Sequence, residues 1–403
     1  MGTSRAVVVG SGIGGLAAAA ALHRSGWHVT VLERAASPEP VGAGISLAPN
    51  SQRALDVIGL GDEVRSHAAW QGDGGMRTPS GRWLARTDSA AAAERFGGPL
   101  VLLHRSTLIG LLRARLPESA VHTATAAELV SPGRADGRRA VVRTTRGDLE
   151  ADLVIGADGI GSAVRDTLFP GHPGPSYSGF TTWRVIAPGL GRPFDSHETW
   201  GRGALWGSHP MKDGRIYAYA AAAVPAGGRA ADDEKAELLR RYGDWHDPIP
   251  GIIASVGAGQ VLRHDVHHLA DPLPAFHRGR TVLVGDSAHA MTPFLGQGGN
   301  QAIEDAVVLA HHVGQDGDLG AGLAAYSAAR VPRTTAMVRK AARVSRLTGL
   351  SGRPAVALRD GLMSAVSRLG PGLVLRAFDG IADWRPPQRT YAAGTRDGRT
   401  TRP

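Results

Sequence analysis

Residues Arg5 to Glu33, RAVVVGSGIGGLAAAAALHRSGWHVTVLE, constrain the fold more than any other stretch of the chain. A β-branched run from Arg5 to Gly10 meets a glycine cluster, an alanine-rich helical pattern runs from Gly12 to Gly26, and a second strand follows from Trp27 to Glu33. Strand, helix and strand at this spacing require two parallel strands joined by a crossover helix, the entry to an α/β layer. The turn Gly10-Ser11-Gly12-Ile13-Gly14-Gly15 fits G-x-G-x-x-G. Its first glycine makes the tight turn, its second admits a pyrophosphate and its third lets helix and strand pack. Glu33 closes the second strand, where a carboxylate accepts hydrogen bonds from a ribose diol and repels a 2′-phosphate. The expected dinucleotide is therefore FAD or NAD, not NADP.

A second stretch, TVLVGDSAHAMTPFLGQGGNQAIED from Thr281 to Asp305, also runs from strand through loop to helix start. Gly296, Gly298 and Gly299 let a ligand approach the backbone, and the helix that follows presents unpaired N–H groups and a positive dipole end. The natural guest is anionic. Gly285-Asp286-Ser287 also looks like the nucleophile block of GDS-type hydrolases, but those enzymes carry it near the N-terminus with Asp-x-x-His late in the chain. Here Asp265-Val266-His267-His268 comes first, which is the wrong order.

Between these stretches lies a third, Gly156-Ala157-Asp158-Gly159-Ile160-Gly161-Ser162, another strand end leading into a short helix. Leu100 to His104 reads as a strand and Arg105-Ser106 as a helix opening with Ser106 as the N-cap. Gly75 to Arg86 reads as a hairpin turning at Thr78 to Gly81. From Ser176 to Val266 most of the Trp and Tyr residues appear, with alternation at Arg215 to Ala220, which suggests an antiparallel sheet with one helical patch at Asp232 to Tyr242. Helical patterns follow at Asn300 to Val313, Ala321 to Arg346 and Ala355 to Ala377. The expected architecture is α/β: a Rossmann-like nucleotide-binding domain from residues 1–74, 100–175 and 277–345, an inserted antiparallel-sheet substrate domain from 75–99 and 176–276, C-terminal helices over 346–384 and a polar tail over 385–403.

The formal net charge is +9, yet only Lys212, Lys235 and Lys340 are lysines and the arginines are spread along the chain, so nucleic-acid binding is not expected. Cysteine is absent, which excludes disulfides and thiol catalysis and suits a reducing cytoplasm. Glycines interrupt the apolar N-terminal run, so it is not read as a signal peptide, and no apolar stretch is long enough to span a bilayer. His264, His267, His268, His311 and His312 lack metal-site spacing, and no metal is expected.

Together GSGIGG with Glu33, GADGIGSAVR and GDSAHAMTPFLGQGGN resemble the single-component, class A flavoprotein monooxygenases, the salicylate-hydroxylase-like aromatic hydroxylases. The resemblance covers residues 5 to 345. It implies non-covalent FAD, NAD(P)H as co-substrate, O2, and transfer of one oxygen atom from a C4a-hydroperoxyflavin to an aromatic or indole-like small molecule. An alkene epoxidase uses the same cofactor chemistry, and a flavin dehydrogenase or oxidase without oxygen insertion is the alternative from another class. Flavin halogenases fit less well, because no Lys precedes Lys212 and W-x-W-x-I-P is missing.

The resemblance implies that Gly10, Gly12, Gly14 and Gly15 hold the pyrophosphate and that Glu33, beside Arg34, holds the adenosine ribose. It assigns Arg105 to the ribityl and phosphate region, Asp158 to bracing the nucleotide loops, Asp286 to the ribityl hydroxyls, and Pro293 with Gly296, Gln297, Gly298, Gly299 and Asn300 to the isoalloxazine. A helix starting near Gly298 would stabilise the reduced ring's negative charge by ~1–2 kcal/mol. The implied substrate pocket lies between the aromatic-rich sheet and the flavin, with Trp183, Arg184, Trp206, His209, Tyr217, Tyr219 and Pro293 as candidates for its wall. A cytoplasmic monomer or homodimer is expected.

Overall fold

The structure, a computed structural model, describes residues 4–37, 43–69, 74–134, 137–314, 317–370, 372 and 375–387. Gly42 and the tail from residue 388 onward lie outside the described residues. Strand Arg5–Val9 lies within a six-stranded sheet in the order His277–Arg278, Thr281–Leu283, Leu153–Gly156, Arg5–Val9, His28–Leu32, Val121–His122. All pairings are parallel except that of the short strand His277–Arg278. Ala6 to Val9 are all buried, without the alternation of a half-exposed strand, because both faces of a parallel sheet are covered.

One covering layer is helix Ile13–Arg24, whose run from Leu16 to Leu22 is buried, packed on helix Gly298–His312. Small side chains let these two helices come close. Because Thr281–Leu283, Leu153–Gly156 and Arg5–Val9 are neighbouring parallel strands, the three glycine-rich segments emerge side by side at their carboxyl ends, the crevice where open α/β sheets bind ligands. Strands Ala127–Ser131, Ala140–Thr144 and Gly147–Ala151 form a small antiparallel sheet before the chain returns through Leu153–Gly156.

The second large sheet has seven strands in the order Leu262–His268, Ser176–Ala187, Ile216–Ala223, Ala204–Pro210, His197–Trp200, Gly75–Arg77, Trp83–Arg86. Side chains alternate across it. One face carries Trp183, Val185, Trp206, Ile216, Ala218 and Ala220 under helices Glu234–Tyr242 and Ile249–Ser255, the latter not foreseen from sequence. The other face carries Phe180, Leu205, Tyr217 and Tyr219 and looks toward the nucleotide lobe. There Phe180 packs edge-on against Phe294, with ring centroids 4.9 Å apart.

Helix Arg105–Arg113 begins two residues earlier than a Ser106 cap implies: His104 occupies the N-cap position, so Ser106 is not the cap. Helix Leu319–Thr348, capped by Asp318, lies against helix Gly298–His312, and helix Arg353–Arg368 runs along Trp83–Arg86. Between the first two, Arg330 Nε donates to Asp305 (2.6 Å) and its Nη1 to Glu304 (2.6 Å), while Arg333 also grips Glu304. Arg330, Glu304 and Asp305 are almost fully buried. Such a cluster is held by mutual pairing, and losing one member leaves a buried charge uncompensated.

Candidate active site

The first glycine turn divides its work among four residues. Gly10 has φ +105°, the left-handed region that suits glycine, and a β-carbon there would collide with the backbone of Ala157 in the neighbouring motif. A β-carbon on Gly15 would strike the carbonyl of Gly10, so the last glycine of G-x-G-x-x-G serves helix-to-turn packing. Gly14 turns the side a β-carbon would occupy toward Ala302, Val284 and Gly285, so on that side it packs against helix Gly298–His312. Gly12 alone opens onto space: nothing lies within 4 Å of a β-carbon there. This is the bare backbone approach a pyrophosphate needs.

Glu33 is fixed beside it. Its Oε2 accepts from Ser11 N–H (2.9 Å) and the Ser11 hydroxyl (2.8 Å), and its Oε1 from Ala35 N–H (2.8 Å). Partial burial raises its pKa, but these bonds and the charge of Arg34 outweigh burial and hold it below the ordinary glutamate value. The carboxylate thus stays ionised at the strand end, partly exposed, with acceptor capacity left for a diol. Arg34 itself points to solvent.

Asp158 Oδ1 accepts from the Ser162 hydroxyl (2.5 Å) and Oδ2 from Val164 N–H (3.1 Å), tying the second glycine segment to helix Ala163–Leu168. In the third motif, Gly285 takes φ +65° and ψ −139°, a conformation for which side chains are poorly suited, and its N–H donates to Asp305 (2.8 Å). Asp286 is thereby thrust out as the exposed residue in an otherwise buried segment. Among the described residues its carboxylate has no hydrogen-bond partner. Ser287 is fully buried and its hydroxyl donates to the carbonyls of Gly156 (2.7 Å) and Val284 (2.8 Å). Among the described residues its hydroxyl bonds no histidine, which argues against the hydrolase alternative.

Helix Gly298–His312 starts without a side-chain cap. Its first N–H groups therefore face the crevice unsatisfied by side chains, close to Asp286, whose carboxylate oxygen lies 3.9 Å from a β-carbon placed on Gly298. The side chains of Gln297 and Asn300, expected at the flavin ring, turn inward instead. Asn300 Oδ1 accepts from Ala48 N–H (2.9 Å) and the Ser51 hydroxyl (2.5 Å), and its Nδ2 donates to Ser46 O (3.0 Å) and Gly296 O (2.6 Å). Gln297 Oε1 accepts from Asn50 and Gln301. Both hold the loop in shape, leaving its backbone to meet a ligand. Pro293 opens the turn Pro293–Leu295.

Across the crevice, Arg105 lies in the field of Asp286, Arg184 and Tyr217. Although it retains accessible surface, the protein atoms around its guanidinium desolvate it and pull its pKa down, with Asp286 opposing that shift. The Tyr217 ring lies on Gly44, where a β-carbon would be 2.6 Å from the ring, so the two lobes meet with glycine at the closest approach. Arg184 and Tyr219 are register partners on adjacent strands and share the crevice face.

Two expected wall residues are not there. Trp183 and Trp206 sit one position out of phase with Arg184 and His209, and period-two alternation puts them on the far face. Trp183 Nε1 donates to Glu234 (2.6 Å) and Trp206 Nε1 to Ser208 (2.7 Å), under the helices.

The residue the sequence reading missed is Glu198. It pairs with Gly207, which pairs with Tyr219, so all three lie in one row on the crevice face. The Tyr219 hydroxyl donates to Glu198 Oε1, and Trp200 Nε1 donates to its Oε2 (2.9 Å). His209 stacks on Tyr219 at 5.4 Å and bonds Ser196 through Nδ1 (2.5 Å). The only sequence signal was Glu198-x-Trp200 at strand spacing, too common to single out. Among the described residues no group of three or more His, Asp or Glu is placed to hold a metal.

The family described as "FAD binding domain" matches residues 3–341. Aurachin C monooxygenase/isomerase from Stigmatella aurantiaca is 36% identical over 370 residues, covering 90% of this chain and 94% of that protein. FAD-dependent urate hydroxylase from Klebsiella pneumoniae is 32% identical, covering 84% and 88%. Among solved structures, that of Klebsiella pneumoniae HpxO complexed with FAD and uric acid superposes with a TM-score of 0.83 at 28% identity, covering 94% of this chain and 96% of that one.

Proposed function

Because the chain belongs to the FAD-binding class A aromatic hydroxylases and is an FAD-dependent monooxygenase, we propose that it uses NAD(P)H and O2 to insert one oxygen atom into an electron-rich aromatic small molecule. The observation that carries this reading is the crevice between Asp286 with the Gly298 helix start on one side and Tyr217, Tyr219 and Arg184 on the other. Its two sides offer chemistry for two guests: one anionic along the helix start, one flat and aromatic against the tyrosines.

Bound FAD would supply, once reduced by NAD(P)H, the two electrons that activate dioxygen, of which one atom goes to the substrate and the other leaves as water. The chain's own residues do the rest. Gly12 admits the pyrophosphate, Glu33 accepts from the adenosine ribose, and Asp286 accepts from ribityl hydroxyls. Arg105 neutralises charge near the phosphates, and the free N–H groups from Gly298 to Asn300 favour negative charge at the pyrimidine edge. Arg184 offers a cation to a substrate carboxylate or phenolate, and Glu198 an acceptor at the far end of the same row. The apolar cluster of Leu84, Phe180, Trp200, Leu205 and Phe294 keeps water from that end.

The relatives fit this substrate class, being named for urate, hydroxybenzoate and amino-hydroxybenzoate. The test is NAD(P)H oxidation by the purified yellow protein across a panel of phenols, hydroxylated heteroaromatics and alkenes, with mass analysis of products. A ring product heavier by one oxygen supports the reading. An epoxide from an alkene, or oxidation of substrate without oxygen gain, would replace it.

A further inference from the structure

The helix Arg353–Arg368 is amphipathic in the reverse sense to a surface helix. Its two mid-helix charged residues, Arg359 and Asp360, turn toward the protein, where Arg359 is buried, donates to Gly201 O (3.1 Å) and lies over the Trp200 ring. Its outer face carries Leu358, Leu362 and, just beyond its end, Leu369, which are 66, 59 and 77% exposed, with Val366 at 44%. Ala357, Gly361 and Ala365 fill the space between them and are exposed too. Three leucines at helical spacing in water are an interaction surface, since ordinary exposed helix faces are polar.

What covers them is indicated by charge. Residues 319–370 contain nine arginines and lysines and a single acid, Asp360, so this stretch carries +8 of the formal net charge of +9. Arg330, Arg333 and Arg359 are committed to internal carboxylates. Arg339, Arg343, Arg346, Arg353 and Arg368 are exposed and make no salt bridge among the described residues. Arg353 and Arg368 are exposed in the first and last turns of this helix, and Arg343 and Arg346 precede exposed Leu347 on the helix before it. A second copy of the chain would bring the same cations to a two-fold contact and be repelled.

We propose that this face docks on an anionic lipid bilayer, the leucines entering the headgroup boundary and the arginines pairing with lipid phosphates. No helix among the described residues is long and apolar enough to cross a membrane, so the association is peripheral. The inner side of the same helix contributes Met363 to the apolar cluster with Leu84, Trp200, Tyr219 and Phe294. One helix thus separates the lipid surface from the substrate crevice, which suits an aromatic substrate that partitions into membranes.

The test is flotation of the FAD-loaded protein with vesicles of phosphatidylcholine alone and of phosphatidylcholine mixed equally with phosphatidylglycerol. Binding to the anionic vesicles should exceed binding to the neutral ones by on the order of tenfold or more and fall as salt is raised. The double variant Leu358→Glu/Leu362→Glu should stay in solution, and Arg353→Glu/Arg368→Glu should lose the preference for anionic vesicles. Unchanged flavin content and melting temperature would show both variants folded. Wild-type protein that ignores both vesicle types, or vesicle binding untouched by either variant, would overturn the proposal. So would a wild-type dimer that Leu358→Glu/Leu362→Glu converts to monomer, which would assign the face to a second copy.

Discussion

The Tyr219 ring lies flat across Gly207 on the neighbouring strand, and its hydroxyl reaches Glu198 one strand further. A side chain at residue 207 would occupy the ring's own volume, so the tyrosine–carboxylate contact exists only because residue 207 has none. Gly207→Ala should therefore lift the ring and break the contact. Overpacking of this kind costs about 1–3 kcal/mol. We expect KM for an aromatic substrate to rise severalfold with flavin content unchanged. Tyr219→Phe should reproduce the KM effect without the loss of thermal stability, and steady-state kinetics beside melting curves separate the two.

The same sheet predicts an acid sensitivity. Burial lowers the His209 pKa to about 3, and burial with the neighbouring His246 and Arg77 lowers that of His197 to about 4 despite the Asp195 carbonyl. Both rings are neutral in the folded protein, while in the unfolded chain they bind protons below about 6.5. The unfolded state then holds more protons, so stability is full above 6.5 and falls as pH drops toward 4 and 3. Each histidine should cost about 1–2 kcal/mol by pH 5. The melting temperature of His197→Gln/His209→Gln should fall less between pH 7 and pH 5 than that of wild type; equal slopes would refute the assignment.

How much of this was legible in the sequence follows from the range of each interaction. The Gly10 to Glu33 unit is local, and its turn, helix and acid are fixed by nearest neighbours in the chain. Family, FAD and the α/β class could be read from it together with the other two motifs. Trp183 and Arg184 show where reading stops: both lie on a strand that was foreseen, yet a one-residue phase decides which faces the crevice, and the phase is set by pairing with a strand over thirty residues away. Glu198 and Tyr219, or Asp305 and Arg330, meet only through tertiary packing. The leucines of Arg353–Arg368 meet a related limit, since a periodic apolar stripe does not itself say what it faces.

Asn300 joins the loop at Gly296 to Ser46, Ala48 and Ser51. Asn300→Ala would strand these buried partners, at about 1–3 kcal/mol for each group left unsatisfied. We expect a lower melting temperature together with faster flavin loss on dilution. Asn300→Asp, which keeps the acceptor and loses the donor, should lie between wild type and alanine. A variant that melts early but keeps its flavin would show that the loop geometry does not depend on this bolt.

Asp286 and Ser287 distinguish the flavin reading from the discarded hydrolase reading at adjacent positions. Asp286 is exposed and without a hydrogen-bond partner among the described residues, so Asp286→Ala should leave the melting temperature of the flavin-free protein unchanged. It should weaken FAD binding on the order of tenfold or more, the loss of charge-assisted hydrogen bonds of about 1.5–3 kcal/mol. Ser287→Ala removes a hydroxyl from buried backbone carbonyls and should lower stability while NAD(P)H oxidation, measured well below the melting temperature, persists. Titration of apoprotein with FAD, followed by fluorescence, checks the first; loss of turnover in Ser287→Ala at full flavin occupancy would contradict the second.

Gly12 and Gly10 offer the sharpest contrast, because they belong to one turn and differ only in what surrounds them. At Gly12 the backbone has φ −68° and ψ 179°, open to any residue, and a β-carbon there meets nothing of the protein. Gly12→Val should therefore fold with the stability of the flavin-free wild type. Its methyl groups would stand where the pyrophosphate approaches the helix start, so FAD should not be retained through gel filtration. At Gly10 the backbone is left-handed and a β-carbon runs into Ala157, so Gly10→Val should lose stability and flavin together. If Gly12→Val keeps its flavin, the pyrophosphate does not lie over this turn. If it unfolds as Gly10→Val does, the turn is closed by protein atoms, and the bare backbone at Gly12 is not a binding surface.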